Sequence, residues 1–513
     1  MANDGDTDGA SRHLSFNVFP VEIQLRICHY LCDHCCGEPF ADLPGAGERR
    51  QALAALSRTN RTLRAIAQPL LYHRITQVHI SKFLKLLRTL VEHPDLAAGV
   101  KQYLQLYLRY VGDWFFEEDE FQFALDLRHK LLMIDSYFNE EGQQDLEDEA
   151  TDGDDGQATF CNQLLLALMP NLESLALVVQ DDDDGMHFEG TTGYSYLWRR
   201  FDTLASSGPG FPNLHHLQFK TEDDRGFYMS NPGVRLILLE APNLTQLVFH
   251  GTRGVGPHSS ASEILISRGL PKYESLRSLE FQTSSIDDDD GAVNMIRHFI
   301  TSSRALENFR FQSWRLNFAE YHDMTNMRYT LLAMLEARKE TLKRLDIDMT
   351  DHSKWTYEED ELLVPPEGIV EGKSRLGRLT GLVSVKIDQE VVCKHQPPPD
   401  SFASSTCLTD NIPGSVEDIL IRVFDGSRTW EDLAELGAHI VQGRFPKLRR
   451  VIVHAINRRY QTPTVKENKE FSQNVLKEAS KLEEAFAHSS IDLVVKERSN
   501  VASYPGYTLA VGY

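Results

Sequence analysis

Leu214-His215-His216-Leu217-Gln218-Phe219, Leu244-Thr245-Gln246-Leu247-Val248-Phe249 and Leu276-Arg277-Ser278-Leu279-Glu280-Phe281 share one pattern: an apolar residue, two others, an apolar, one other, an apolar. The last two apolar positions lie two apart, so an extended chain turns both to one face. The pattern returns at Leu172-Leu175-Leu177, Leu306-Phe309-Phe311, Leu342-Leu345-Ile347, Leu382-Val385-Ile387, Val416-Ile419-Ile421 and Leu448-Val451-Val453, and Ile75-Val78-Ile80 reads as a first copy. Copies from Leu172 onward recur roughly every 30–42 residues. Several share a lead-in, Pro170-Asn171, Pro212-Asn213, Pro242-Asn243 and Pro446-Lys447. Helical runs such as Ala292–Ser302 and Met327–Arg338 fill the gaps.

A strand plus a helix at this period cannot bury its apolar faces alone, whereas stacked copies can. The expected fold is therefore α/β: an irregular leucine-rich-repeat-like solenoid of parallel strands and helices over residues 74–498, behind a small helical N-terminal domain. A closed (β/α) barrel or a doubly wound sheet also alternates strand and helix, but neither needs a common strand motif. Residues 1–12 read as a disordered lead and 139–156 as a disordered acidic insertion, because both lack apolar residues enough to fold. Lys394–Ser405, with three consecutive prolines, reads as a loop, and 499–513 as a tail or capping strand.

Composition narrows the function. The net charge is −22, from 75 acidic against 53 basic residues, which disfavours nucleic acid and anionic membranes as partners. No stretch approaches the roughly 20 apolar residues of a membrane span. The first residues are polar and acidic, unlike a secretory signal. A cytoplasmic or nuclear protein with reduced thiols is expected.

From Leu14 to Tyr72 the pattern is helical. Ile23, Ile27, Tyr30 and Leu31 mark one face of a first helix after Pro20. Leu53, Leu56, Asn60, Leu63, Ile66 and Ala67 carry the period of a second run, which Pro69 is expected to end. Phe19-Pro20-Val21-Glu22-Ile23, Ile27 and Tyr30-Leu31, then Leu56-Ser57-Arg58-Thr59-Asn60-Arg61-Thr62-Leu63-Arg64 and Gln68-Pro69-Leu70-Leu71-Tyr72, resemble the F-box family in both halves and in order. Phe19 stands where that family usually has Leu, and the Cys32–Arg50 connection is longer than usual. Residues 13–73 would then be an F-box.

The resemblance implies a docking module for the Skp adaptor of cullin-based ubiquitin ligases, with contacts from Phe19, Pro20, Ile23, Ile27, Leu31, Leu56 and Leu63. The repeat region would hold a protein substrate, making the chain the non-catalytic substrate receptor of a Skp–cullin–F-box ligase. A plain helical cap on the solenoid, within an interaction scaffold uncoupled from ubiquitination, fits the same residues. An α/β enzyme is the third reading, but no catalytic motif supports it: Gly251-Thr252-Arg253-Gly254-Val255-Gly256 lacks the ending of a phosphate loop.

Two clusters remain. Asp181, Asp182, Asp183 and Asp184, then Glu222, Asp223 and Asp224, then Asp287, Asp288, Asp289 and Asp290, and finally Asp348 with Asp351, all follow a repeat strand. They would line one edge as an acidic rim for a basic substrate, or be solvated loops; no EF-hand spacing supports calcium. Cys28, Cys32, Cys35 and Cys36 lie close together, with His29 and His34 among them, and Cys32-x-x-Cys35 is half of a zinc site. A structural zinc needs four ligands, and the chain has no second Cys-x-x-Cys, so no cofactor is expected and zinc stands only as the weaker alternative.

Overall fold

The computed structural model describes residues 16–37, 45–76, 80–105, 123, 165–179, 210–221, 226–229, 231–252, 270–284, 290–313, 327–349, 375–388, 407–424, 429–456 and 465–498. The segments 1–12, 139–156, 394–405 and 499–513, expected to be irregular, lie outside these residues. The chain is α/β with parallel strands and divides into two compact units. Unit 1 comprises Met1–Leu177 and Gly190–Leu214; unit 2 comprises Val178–Glu189 and His215–Tyr513.

Unit 1 opens with a single turn at Phe16–Val18, then α1 (Val21–Tyr30), α2 (Asp33–Cys36), α3 (Ala46–Thr59) and α4 (Arg61–Tyr72). Asn60 separates α3 from α4: its backbone is extended, and its side chain accepts a hydrogen bond from the Leu63 amide at 2.8 Å, capping the new helix. Pro69 does not end α4, contrary to expectation. Its missing N–H forfeits one bond, while Leu70 just beyond it is buried with Cys28, Cys32, Leu53 and Ala67, which holds the last turn in place.

The first repeat copy also differs from the reading. Only Arg74–Thr76 is strand (β1), and Ile80 begins α5 (Ile80–Glu92). Phe83, Leu84, Leu87 and Leu90 are buried at helical spacing, so burial of that stripe decides the conformation. After α6 (Pro94–Gly99) comes β2 (Gln102–Leu104), which the motif search did not find, and then β3 (Ser174–Val178). β1, β2 and β3 pair in parallel, with Ile75 opposite Tyr103 and Tyr103 opposite Leu175.

In unit 2 the strands fall where the motifs stand: β4 (His216–Lys220), β5 (Gln246–His250), β6 (Ser278–Ser284), β7 (Asn308–Ser313), β8 (Arg344–Asp348), β9 (Ser384–Asp388), β10 (Asp418–Phe424) and β11 (Arg450–Ile456). β12 (Asp492–Arg498) follows without the motif. Between them lie α7 (Pro232–Glu240), α8 (Asp290–Ser302), α9 (Met327–Leu335), α10 (Cys407–Asn411), α11 (Thr429–Val441) and α12 (Val465–Phe486). Each strand pairs in parallel with the next in sequence, and the motif positions fall in register: Leu217, Leu247, Leu279 and Phe309 in one row, Phe219, Phe249, Phe281 and Phe311 in the other. The second row is fully buried, and its rings stack, Phe219 on Phe249 at 5.7 Å and Phe249 on Phe281 at 5.2 Å.

A second ladder forms just before the strands. The carbonyl of the residue ahead of one strand accepts two consecutive amides from the lead-in of the next: His215 from Thr245 and Gln246, Thr245 from Arg277 and Ser278, Arg277 from Glu307 and Asn308. Unit 1 uses the same device, with His73 accepting from Lys101 and Gln102, and Lys101 from Glu173 and Ser174. Residues ahead of successive strands are thereby stacked, which places Lys101 Nζ 2.8 Å from Glu173 Oε1 and Lys343 Nζ 3.6 Å from Glu307 Oε1.

At the other end of the strands, unit 2 buries a charge cluster. Arg422 on β10 reaches Asp346 at 2.8 Å, Asp348 at 3.2 Å and Asp388 at 3.4 Å. Burial alone would lower the Arg422 pKa, but Asp348, Asp388 and Asp346 outweigh it and raise it. Nearer the C-terminus, Gly437 on α11 admits α12: a Cβ there would stand 2.7 Å from the Phe486 ring.

Candidate docking surface and cysteine–histidine cluster

The first candidate surface is built on α1 and its lead-in. Gln24 is the polar anchor. Buried on the inner face of α1, its amide donates to the Phe19 carbonyl at 2.8 Å and to the Phe16 carbonyl at 3.4 Å, folding the lead-in back on the helix. The inner face is completed by Cys28 and, beyond the helix end, Cys32. This leaves the other apolar residues outside: Val18 is 71 % exposed, Val21 54 % and Tyr30 74 %, with Phe19, Ile23 and Leu25 exposed beside them. These side chains leave apolar surface of α1 and its lead-in open to water.

The residues expected to meet an adaptor divide accordingly. Phe19, Pro20 and Ile23 are exposed, and Ile27 is half-buried. Leu31 and Leu56 pack against the helical core, and Leu63 is buried. These last three hold the helices together. The face named from helical spacing is the outer one, because the buried side is carried by a glutamine and two cysteines that a hydrophobic search passes over. Val18, Val21 and Leu25 were missed for the same reason: they lie off the Ile23–Ile27 stripe.

The acidic rim is not described for the most part. Asp181, Asp182, Asp183, Asp184, Glu222, Asp223, Asp224, Asp287, Asp288, Asp289 and Asp351 lie outside the described residues, and Asp290 opens α8. Asp348 is not a rim residue; it is buried against Arg422, since a carboxylate at a strand end is drawn inward by a cation two strands along.

The second candidate is the cysteine cluster. α2 is one turn long, and its Cys32-x-x-Cys35 spacing turns both thiols to the same side. His73, directly after α4, meets them: its Nδ1 lies 3.8 Å from Cys32 Sγ and 3.7 Å from Cys35 Sγ. His34 Nδ1 lies 3.8 Å from Cys35 Sγ. The ligand atoms of Cys32, His34, Cys35 and His73 are all within 4.8 Å of one another. The sequence offered Cys32 and Cys35 as half a site; the two histidines supply the other half.

Behind it, His34 Nε2 is 3.4 Å from Glu173 Oε2, and Lys101 holds the other oxygen of Glu173. Burial, then the neighbouring Cys32, pushes the Cys35 thiol up to about 12. Burial, then His34, lowers His73 to about 4. Cys36 stands apart, its thiol donating to the His29 and Tyr30 carbonyls. Cys28 lies in the core as a small apolar side chain.

Among the described residues no helix is long and apolar enough to cross a membrane. No protein-family model matches the chain, and no curated protein matches it.

Proposed function

We propose that this chain is an F-box substrate receptor, which docks the Skp adaptor of a cullin-based ubiquitin ligase through its N-terminal helices and a protein substrate through its strand–helix repeats. The carrying observation is the set of exposed apolar side chains Val18, Phe19, Val21, Ile23, Leu25 and Tyr30 around α1 and its lead-in, on a helical cluster whose buried apolar residues, among those described, are Cys28, Cys32, Leu53, Leu63, Ala67 and Leu70. A partner packed against α1 and its lead-in would remove that apolar surface from water at about 25 cal/mol per Å². The parallel strands in register, with equivalent residues stacked copy on copy, support the solenoid reading of the rest. The chain itself performs no chemistry in this role; it raises the effective concentration of a substrate lysine near a charged ubiquitin-carrying enzyme.

Because these side chains are exposed, Val21→Asp with Ile23→Asp leaves the helical core intact and should abolish co-purification with the adaptor. Full binding by that double variant, or no binding by the unaltered chain, defeats the proposal. Adaptor capture without a cullin would favour the scaffold reading.

A further inference from the structure

We infer that Cys32, His34, Cys35 and His73 form a structural zinc site. The first argument is distance. With Zn–S near 2.3 Å and Zn–N near 2.0–2.1 Å, ligand atoms at tetrahedral corners stand about 3.5–3.8 Å apart. Three of the four sulfur–nitrogen separations are 3.7, 3.8 and 3.8 Å, and all the ligand atoms lie within 4.8 Å of one another.

The second argument is valence. His73 Nδ1 faces both thiols and has one lone pair, so it accepts from one of them, while the Cys32 thiol also has the Leu70 carbonyl at 3.5 Å and the Cys35 thiol has His34 Nδ1 at 3.8 Å. A cation at the centre satisfies all the donors together, each through its own lone pair. Binding displaces a proton from each thiol to solvent, and the two thiolates neutralise the dication.

The third argument is the group behind the cluster. With Nδ1 of His34 directed at the thiols, its Nε2–H points to Glu173, and Glu173 is fixed by Lys101. A carboxylate on the far nitrogen of a ligating histidine is the usual outer partner, fixing tautomer and ring orientation. Glu173 reaches this place through the pre-strand ladder that stacks His73, Lys101 and Glu173.

Two thiolates and two imidazoles suit zinc and not magnesium or calcium, which take oxygen. Four protein ligands leave no open position, so the site is structural. It clips the turn after α1 to the end of α4, where the helices give way to β1. This holds whatever docks on α1.

The test uses the full-length chain, stripped with a chelator and titrated with Zn²⁺ or Co²⁺. We expect about one metal per chain, with the Co²⁺ complex showing the strong visible bands of a tetrahedral site and thiolate charge transfer. Cys36→Ser should bind unchanged, Cys35→Ser should lose the charge-transfer intensity, and Glu173→Gln should weaken binding by about 10–100-fold. On the unaltered chain, which needs no variant to fold, zinc should protect the exposed Cys35 from alkylation and leave the exposed Cys36 reactive. An octahedral Co²⁺ spectrum, equal binding by Cys35→Ser, or no protection of Cys35 would overturn the site.

Discussion

The stacked strands of unit 2 and the helical cluster of unit 1 bury apolar residues by different means. From β4 to β7 each strand offers the same two positions, and those of β5 and β6 are covered by their equivalents on both sides. Among the described residues the helical cluster has six buried apolar residues, two of them cysteines, and leaves six large apolar side chains exposed. A repeating core is self-covering, so it needs nothing from outside. A small non-repeating one leaves a surplus for a partner and gains from a crosslink, because so few residues cannot enclose their own apolar surface.

The comparison can be broken by substitution. The largest effect is expected inside unit 2, from Arg422→Ala. It removes the guanidinium that Asp346, Asp348 and Asp388 share, and breaking a buried charge cluster by removing one partner costs about 3–5 kcal/mol. Denaturant unfolding with hydrogen exchange resolved by unit would assign the loss to unit 2. A loss in unit 1 alone would break the assignment.

Matched truncations sharpen the contrast. Leu279→Ala lies in a row covered from both sides and should fall toward the upper end of the ~2–5 kcal/mol range for such changes. Leu70→Ala, in the small cluster where neighbours can collapse into the gap, should fall toward the lower end of the same ~2–5 kcal/mol. Equal losses would mean that the helical core is as rigid as the sheet.

Asn60→Ala removes the cap of α4 and should cost about 1 kcal/mol, read in the exchange of the α4 amides. Smallest of all, Ile23→Ala should change stability by no more than about 0.5 kcal/mol, because the side chain is exposed in the free chain. A large destabilisation there would show that this surface of α1 is already covered in solution.

Much of the strand framework was legible in the sequence. Leu244, Leu247 and Phe249 announce β5, and their equivalents announce β4 and β6 to β11, because a strand's inward positions recur every second residue and the motif is local. Residues 80–92 were misread at their start, since Ile75, Val78 and Ile80 fit a strand template while the buried stripe of Phe83, Leu84, Leu87 and Leu90 decided for a helix. β2 and β12 lacked the motif and were found only through their pairing.

The sites were less legible, for a reason of range. The sequence by itself determined that α1 carries more apolar residues than one helix face can bury, and that Cys32 and Cys35 sit one turn apart. Which face of α1 turns inward was decided by packing: Cys28 packs with Ala67 and Leu70 of α4 and Gln24 is buried against its own lead-in, so Ile23 and Tyr30 stay in water. That Asp348 points inward depends on Arg422, two strands away. That His73 and Glu173 reach the cysteines depends on where α4 ends and on the ladder that stacks one pre-strand residue over the next. Local spacing fixes what lies within a turn or along a strand; meetings between distant segments belong to strand register and helix ends, which only the packed chain defines.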